Sequence, residues 1–258
     1  MPVAEIIDTA IVLAAGEGQR LRTATPIKPL CIVAGQVLLA RILDGLVAAG
    51  MRRAIVVLGY EAAHIAAFLN SRRWPLEIEL ATVDDYRRPN GVSALAARPH
   101  LRGASALLVM ADHLVDVGLY RLVAREGPGD GVRLATDRRL DNPDIDITDV
   151  TRVKTRDGRI VAIGKMIPDY DCFDTGVFAV SEPLFEALDR FDSPSLTDGV
   201  RALASLGLAF SLDCGDLDWI DVDDELALRK AEEWIRCRSV SLGPLKTLES
   251  QTSGDRLS

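Results

Sequence analysis

The chain has 258 residues, 48% apolar and 26% charged, the balance of a soluble globular protein long enough to bury its own core. Thirty Lys and Arg against 38 Asp and Glu leave a net charge of −8, which excludes a broad nucleic-acid-coating surface and leaves room for one small basic pocket. No run approaches the ~18–20 apolar residues of a membrane span, so direct membrane insertion is not expected. The first residues carry Glu5 and Asp8 without the basic head of a secretory signal. Cys31, Cys172, Cys214 and Cys237 share no CxxC spacing, which excludes a zinc ribbon or thioredoxin-type motif and fits a reducing, cytoplasmic setting.

In chain order, Thr9–Ala14 reads as a short buried parallel strand that runs straight into Gly16-Glu17-Gly18. Val37–Ala49 has helical spacing and stops at Gly50. Arg53–Leu58 is the next buried strand, Glu61–Leu69 a helix, Leu76–Thr82 a strand, and Ala104–Met110 a further buried strand ending at Asp112. After Gly131 the pattern changes. Thr151–Thr155 and Arg159–Ile163 flank Asp157-Gly158 as a β-hairpin. Phe173–Val180 is a strand, Pro183–Arg190 a helix, Leu208–Leu212 a strand and Glu225–Arg236 a closing helix. The tail from Ser239 has no periodicity and is expected to be flexible. These elements predict a single α/β domain over residues 1–238, Rossmann-like, with a mixed, mostly parallel sheet, helices on both faces and a small β insertion in its second half.

The most informative segment is Leu13-Ala14-Ala15-Gly16-Glu17-Gly18-Gln19-Arg20-Leu21, followed by Lys28-Pro29-Leu30. A glycine loop directly after a buried strand brings backbone N–H groups close to phosphate oxygens. Arg20 and Lys28 add the positive charge that a polyphosphate needs. A dinucleotide fingerprint would want a third glycine where Leu21 stands, and a P-loop needs GK before Ser or Thr, whereas the chain's only GK is Gly164-Lys165-Met166. A lone GxG is equally a tight turn; strand, GxGxR and KPL together point to a phosphate cradle.

Asp112 closes a buried strand, where open α/β sheets place their ligands, so it reads as a metal carboxylate, with a turn cap as its plain alternative. Asp221, after Trp219-Ile220, is the expected second carboxylate and Asp223 its substitute; Asp223 and Asp224 also suit the N-cap of the closing helix. Lys165 is either a phosphate contact or a strand end. His64, His100 and His113 show no metal-ligand spacing and are read as structural. Asp141, Asp144, Asp146 and Asp149 lack the glycine and closing Glu of a calcium loop, and read as a solvated connection.

This ordered series resembles the sugar-phosphate nucleotidyltransferases, whose opening signature is of the LxxGxGxRL…PKPL type; Ile27 stands where proline is usual. Pro89–Leu95 resembles the family's base-contacting loop and Val109–His113 its metal-binding strand end. Ile163-Gly164-Lys165 and Asp174–Phe178 resemble the sugar-phosphate-binding elements, and Trp219–Asp223 the second metal carboxylate segment. Within the family, MADH, IGK…DTGVF and WIDVD are most similar to the inositol-1-phosphate cytidylyltransferases.

The resemblance implies a GT-A-like fold, with a nucleotide-binding half at about 9–130 and an acceptor-binding half at about 131–238. It implies Mg²⁺-dependent transfer of a nucleotidyl group from CTP to inositol-1-phosphate, giving CDP-inositol and pyrophosphate. Arg20 and Lys28 would stabilise the triphosphate, and Asp112 and Asp221 would hold the metal. Leu13–Gly18 with Asn90, Gly91 and Ser93 would hold the nucleotide, and Lys165, Asp174, Thr175 and Gly176 the acceptor phosphate. A separate membrane-bound phosphotransferase would use the product. Open alternatives are another triphosphate with a sugar-1-phosphate, CTP with phosphocholine, a non-catalytic nucleotide-sugar-binding domain, and a glycosyltransferase. The last typically wants a DxD-like motif, whereas His113 and Leu114 follow Asp112.

Overall fold

Six consecutive buried residues, Thr9–Ala14, form strand β1 of a computed structural model that describes residues 6–21 and 25–241. After two short 3₁₀ turns (Gln19–Leu21 and Lys28–Leu30) come β2 (Ile32–Val33), β3 (Gln36–Val37), α1 (Leu38–Ala48), β4 (Arg53–Leu58), α2 (Ala62–Asn70) and β5 (Glu77–Thr82). The middle of the chain holds α3 (Asn90–Leu101), β6 (Ala106–Met110), β7 (His113–Val115), α4 (Val117–Glu126) and β8 (Val132–Asp137). Then follow β9 (Arg152–Arg156), β10 (Arg159–Gly164), β11 (Cys172–Val180), α5 (Glu182–Leu188), α6 (Leu196–Ser205), β12 (Ala209–Asp213), β13 (Trp219–Asp221) and α7 (Glu225–Ser241).

Among the described residues the main sheet has nine strands in the order β5-β4-β1-β6-β11-β8-β12-β10-β9. β1 pairs in parallel with β4 on one side and β6 on the other, Leu13 standing opposite Val57 and Met110. A strand in that position is buried on both faces. Ala10, Val12 and Ala14 join one apolar core with Leu39, Leu43 and Tyr120, while Ile11, Leu13 and Ala15 join the other with Ala94, Leu184 and Leu203. The sheet therefore carries helices on both faces, as its βα repeats require. The parallel pairings gather in the first half, since β8–β12 alone adds one beyond β5-β4-β1-β6. β11 runs antiparallel between β6 and β8, so its leading residues lie at the same end of the sheet as the ends of β1 and β6.

The expected β insertion is the β9–β10 hairpin, but it is not a separate unit. β10 pairs with β12 and β9 with β11, so the hairpin extends the main sheet. Its turn places Asp157 and Gly158 at φ +51° and +73°, the double left-handed geometry that suits right-twisted strands. The closing helix runs to Ser241, past Ser239, where the sequence suggested a flexible tail; the remainder of that tail, residues 242–258, lies outside the described residues.

One ion-pair group ties α3 to the sheet edge. Glu79 on β5 accepts from Arg53 on β4 and lies 2.5 Å from His100 Nδ1, while Arg53 also donates to the His100 carbonyl (2.7 Å). Hydrogen bonds from Arg53 and His100 outweigh burial and hold the Glu79 carboxyl at about 2. A depressed carboxyl contributes stability above its unfolded pKa and loses it as pH falls toward the folded value. The Glu79 side chain is 30% exposed, so screening reduces the ~3 kcal/mol such a shift implies to about 1 kcal/mol. Glu79→Gln is thus expected to lower unfolding free energy near neutral pH by about 1 kcal/mol, and the gap to wild type should narrow by roughly half toward about pH 3. Urea unfolding at both pH values measures it, and a pH-independent gap would contradict the assignment.

Candidate active site

Beyond β1 the chain turns through Gly16 and Gly18. Gly18 has φ +60°, and a Cβ there would lie 2.6 Å from the Lys28 Cβ; only glycine lets the Lys28 stem pass beneath the loop. Lys28 opens its own 3₁₀ turn and its side chain is only 6% exposed. Its Nζ donates to Asp112 Oδ2 at 2.8 Å and to Asp223, and lies 3.7 Å from Asp221 Oδ1. Arg20, half exposed, donates to Asp149 Oδ2 at 2.5 Å and to Asp223. Asp149 also accepts from Lys165. Three cations predicted from sequence are thus each held by carboxylates in one connected network.

The parallel alignment of β1 and β6 brings Asp112 beside the glycine loop, with the Ala111 amide donating to the Leu13 carbonyl (3.1 Å). Ala111 and Asp112 form a turn between β6 and β7. β7 pairs antiparallel with β13, setting Asp221 opposite His113. The same junction is tied by the Val222 amide to the Asp112 carbonyl (2.9 Å). Behind β13, buried Asp137 accepts from Trp219 Nε1 (3.0 Å) and from Arg139, which also reaches Asp218 at 3.0 Å. Burial pushes the Asp137 carboxyl up, and the Arg139 and Trp219 hydrogen bonds outweigh it, leaving it below its ordinary value. The Asp137 carboxylate therefore anchors the strand that presents Asp221.

His113 corrects the sequence expectation of a structural histidine. Its Nδ1 donates to the Thr175 carbonyl at 3.1 Å, and its Nε2 lies 3.4 Å from Asp221 Oδ2 and 3.8 Å from Asp112 Oδ1. Burial lowers the His113 pKa, but Asp221 and then Asp112 outweigh it and raise it to about 9. Burial raises the Asp112 carboxyl, yet the charges of Lys28 and His113 bring it down to about 2. Gly176 makes room for the ring: at φ +76°, a Cβ there would stand 2.1 Å from His113 Nδ1. Beside it, Asp174 accepts from the Gly176 amide (2.7 Å), and burial pushes its carboxyl up to about 6. Thr175, fully buried, donates to the Ala135 carbonyl (2.9 Å).

Asp149 is the second correction. Expected in a solvated connection, it bridges Arg20 and Lys165, and Lys165 lines the larger cavity. Asp223 is bound by Lys28 and Arg20, whereas Asp224 takes the cap position, accepting from the Ala227 amide (2.8 Å).

Two cavities meet here. The smaller, about 340 Å³, is lined by Leu13, Ala14, Gly16, Gly18 and Lys28; the larger, about 640 Å³, by Lys165, Asp174, Gly176, His113 and Asp221. Both are bordered by Arg20, Asp112 and Asp223. Ala15 is buried beneath the loop and Glu17 accepts from Gln19. The segment read as a base-contacting loop forms the first turn of α3. Asn90 lines the larger cavity and accepts from the Leu196 amide (2.9 Å), not the smaller one. Gly91 packs on the backbone of Pro194, where a Cβ would lie 2.6 Å from the carbonyl oxygen, and Ser93 is buried.

The donor set fits a divalent cation. Among the described residues, Asp112, His113 and Asp221 offer ligand atoms within 4.8 Å of one another, as do Asp149, Asp221 and Asp223. The buried Asp221 Oδ1 has no hydrogen-bond partner, an unsatisfied anionic oxygen of the kind hard cations take.

A mixed sheet whose strand ends carry a glycine cradle, buried lysine and paired carboxylates at the seam of two cavities defines a nucleotidyltransferase, a class that generally uses a divalent metal. Residues 10–193 match the family model described as the MobA-like NTP transferase domain, and the chain belongs to that family. It is 36% identical over 232 residues to the "Bifunctional IPC transferase and DIPP synthase" of Rubrobacter xylanophilus, an alignment covering 88% of this chain and 51% of the relative. The Aquifex aeolicus protein of the same name is 30% identical over 238 residues, covering 89% and 52%. The chain spans about half the length of these curated relatives. The solved inositol-1-phosphate CTP transferase from T. maritima has the same fold, with a TM-score of 0.78, 24% identity, and coverage of 91% of this chain and 97% of that one. Among the described residues no helix is long and apolar enough to cross a membrane.

Proposed function

We propose that this chain transfers the cytidylyl group of CTP to inositol-1-phosphate with Mg²⁺, forming CDP-inositol and pyrophosphate. The names of its relatives support the substrates, and one observation carries the mechanism: the two cavities share Arg20, Asp112 and Asp223 as their common wall. A triphosphate in the smaller cavity and a phosphate monoester in the larger one meet at that wall.

In this reading an oxygen of the inositol phosphate attacks the α-phosphorus while the α–β bridging bond breaks and pyrophosphate leaves. Two anions at ~4 Å repel by several kcal/mol in a partly dry site, so the residues must align them and offset that charge. The loop backbone at Leu13–Gly18 holds the triphosphate; Gly16, with open space where a side chain would stand, admits a phosphate against its backbone. Arg20 and Lys28 exchange carboxylate partners for phosphate oxygens and stabilise charge that grows in the transition state. Lys165, released from Asp149, binds the acceptor phosphate, and the Asp174 carboxyl accepts a polyol hydroxyl. Asn90 borders the acceptor, and Gly91 and Ser93 set its position by packing α3. Mg²⁺ on Asp112 and Asp221 would supply further neutralisation of the triphosphate. No side-chain nucleophile is required. The proposal includes a cytoplasmic setting and a membrane-bound phosphotransferase that consumes the product.

Pyrophosphate release measured for CTP, UTP and other triphosphates, each crossed with inositol, hexose and choline phosphates, tests it. CTP with inositol-1-phosphate should give the highest kcat/KM, and chelation of divalent ions should abolish release. A higher value for another pair reassigns the substrates; no turnover with any pair favours a nucleotide-sugar-binding domain.

A further inference from the structure

We propose that His113 Nε2 is a third protein ligand to the divalent cation held by Asp112 and Asp221. The inference rests on the site proposed above and adds to it a nitrogen donor that raises affinity for ions such as Mn²⁺ relative to Mg²⁺.

The tautomer carries the first part of the argument. A carbonyl oxygen only accepts, so the 3.1 Å contact to Thr175 places a proton on Nδ1. Nε2 faces Asp112 and Asp221, and a cation bound there displaces the proton that the two carboxylates otherwise hold on it. A ring nitrogen fixed by donation from its partner nitrogen to a backbone carbonyl is the arrangement in which histidine binds metals. The spacing carries the second part. The Nε2 separations of 3.4 and 3.8 Å are longer than the ~2.7–2.9 Å of a charge-assisted N–H···O bond. Atoms bound at ~2.1 Å to one octahedral ion lie about 3 Å apart when adjacent and about 4 Å when opposite. The observed separations fall between these two values, so the three ligand atoms can share one cation.

The ring has little freedom to turn away. Gly176 backs it so closely that no Cβ fits, and the Trp219 ring lies 5.9 Å from it, centroid to centroid. Asp221 contributes a further sign, the buried Oδ1 without a hydrogen-bond partner. A nitrogen in the set weakens the preference for Mg²⁺, which favours oxygen ligands, and follows the rise in affinity along the first-row divalent ions.

The test is pulsed electron paramagnetic resonance of Mn²⁺ bound to the full chain with pyrophosphate, a nitrogen-free product that completes the site. Wild type should show nuclear modulation from a directly bound ¹⁴N that changes to ¹⁵N when histidine is isotopically labelled. The chain has three histidines, and of these His64 pairs with Glu61 and His100 with Glu79. His113→Asn should abolish the coupling and weaken Mn²⁺ binding by at least the 10–100-fold typical of losing even an outer-sphere partner, with a smaller loss for Mg²⁺. Bound Mn²⁺ without nitrogen coupling in wild type would overturn the His113 assignment and leave the carboxylate site standing. Failure to bind Mn²⁺ at all would overturn the divalent site itself. The wild-type spectrum decides even if the variant does not fold.

Discussion

Lys28→Ala is expected to lower turnover by about 10²–10³-fold, the usual cost of removing one group that stabilises transition-state charge. Its ammonium is the most enclosed cation of the site, 6% exposed, and lies within 3.7 Å of Asp112, Asp221 and Asp223. Those carboxylates hold it at the junction of the two cavities before substrate arrives, so little reorganisation is needed when phosphate oxygens replace them. The loss should fall mainly on kcat, because the interaction strengthens as charge develops. Removing Lys28 also leaves three carboxylates facing one another. They are 21–35% exposed, so water and added divalent ions relieve part of the repulsion, and a loss of about 1–2 kcal/mol is expected rather than the 3–5 kcal/mol of a fully buried broken pair. The sheet and helices should remain, since Lys28 belongs to neither apolar core. Steady-state kinetics with circular dichroism and thermal unfolding, with and without Mg²⁺, measure all three effects. Near-normal turnover, or an unfolded variant, would remove Lys28 from the proposed role.

The parts of this molecule written in local patterns are the ones its sequence shows. β1 and β4 lie at the residues expected, Thr9–Ala14 and Arg53–Leu58, because continuous apolar, β-branched runs buried on both faces have few alternatives. α3 and α6 escaped notice for a physical reason. Pro99 lies inside α3, Gly91 and Gly199 sit in the two helices, and both helices draw their stability from packing against each other and α5 rather than from propensity. The same division runs through the site. Arg20, Lys28 and Asp112 stand next to strand ends and a glycine loop, so sequence marks them. His113 and Asp149 acquire their partners only through long-range closure: Thr175 is 62 positions from His113, and Asp149 is 129 from Arg20. A glycine in the middle of strand β11, Gly176, is a sequence signal for the ring packed behind it.

Gly176→Ala should separate these long-range contacts from the rest of the fold. Position 176 has φ +76°, and a Cβ there would meet His113 Nδ1 at 2.1 Å, so the methyl group and the ring cannot share the space. Left-handed backbone alone costs a non-glycine residue roughly 1–2 kcal/mol. Gly103 provides the control, with φ +83° and nothing within 4 Å of an added Cβ; Gly103→Ala should lose only about 1 kcal/mol and keep full turnover. At Gly176 the ring must move, breaking its bond to the Thr175 carbonyl and shifting Nε2 away from Asp112 and Asp221. A total loss of about 2–4 kcal/mol follows from strain, the displaced buried ring and the orphaned carbonyl together. Turnover should fall at least about 10-fold, because a displacement near 1 Å at the reacting centre is enough to cost that much. Denaturant unfolding and steady-state kinetics of the two alanine variants, side by side, make the comparison. If Gly176→Ala matched Gly103→Ala in both stability and turnover, the contact between β11 and His113 would have no part in shaping the site.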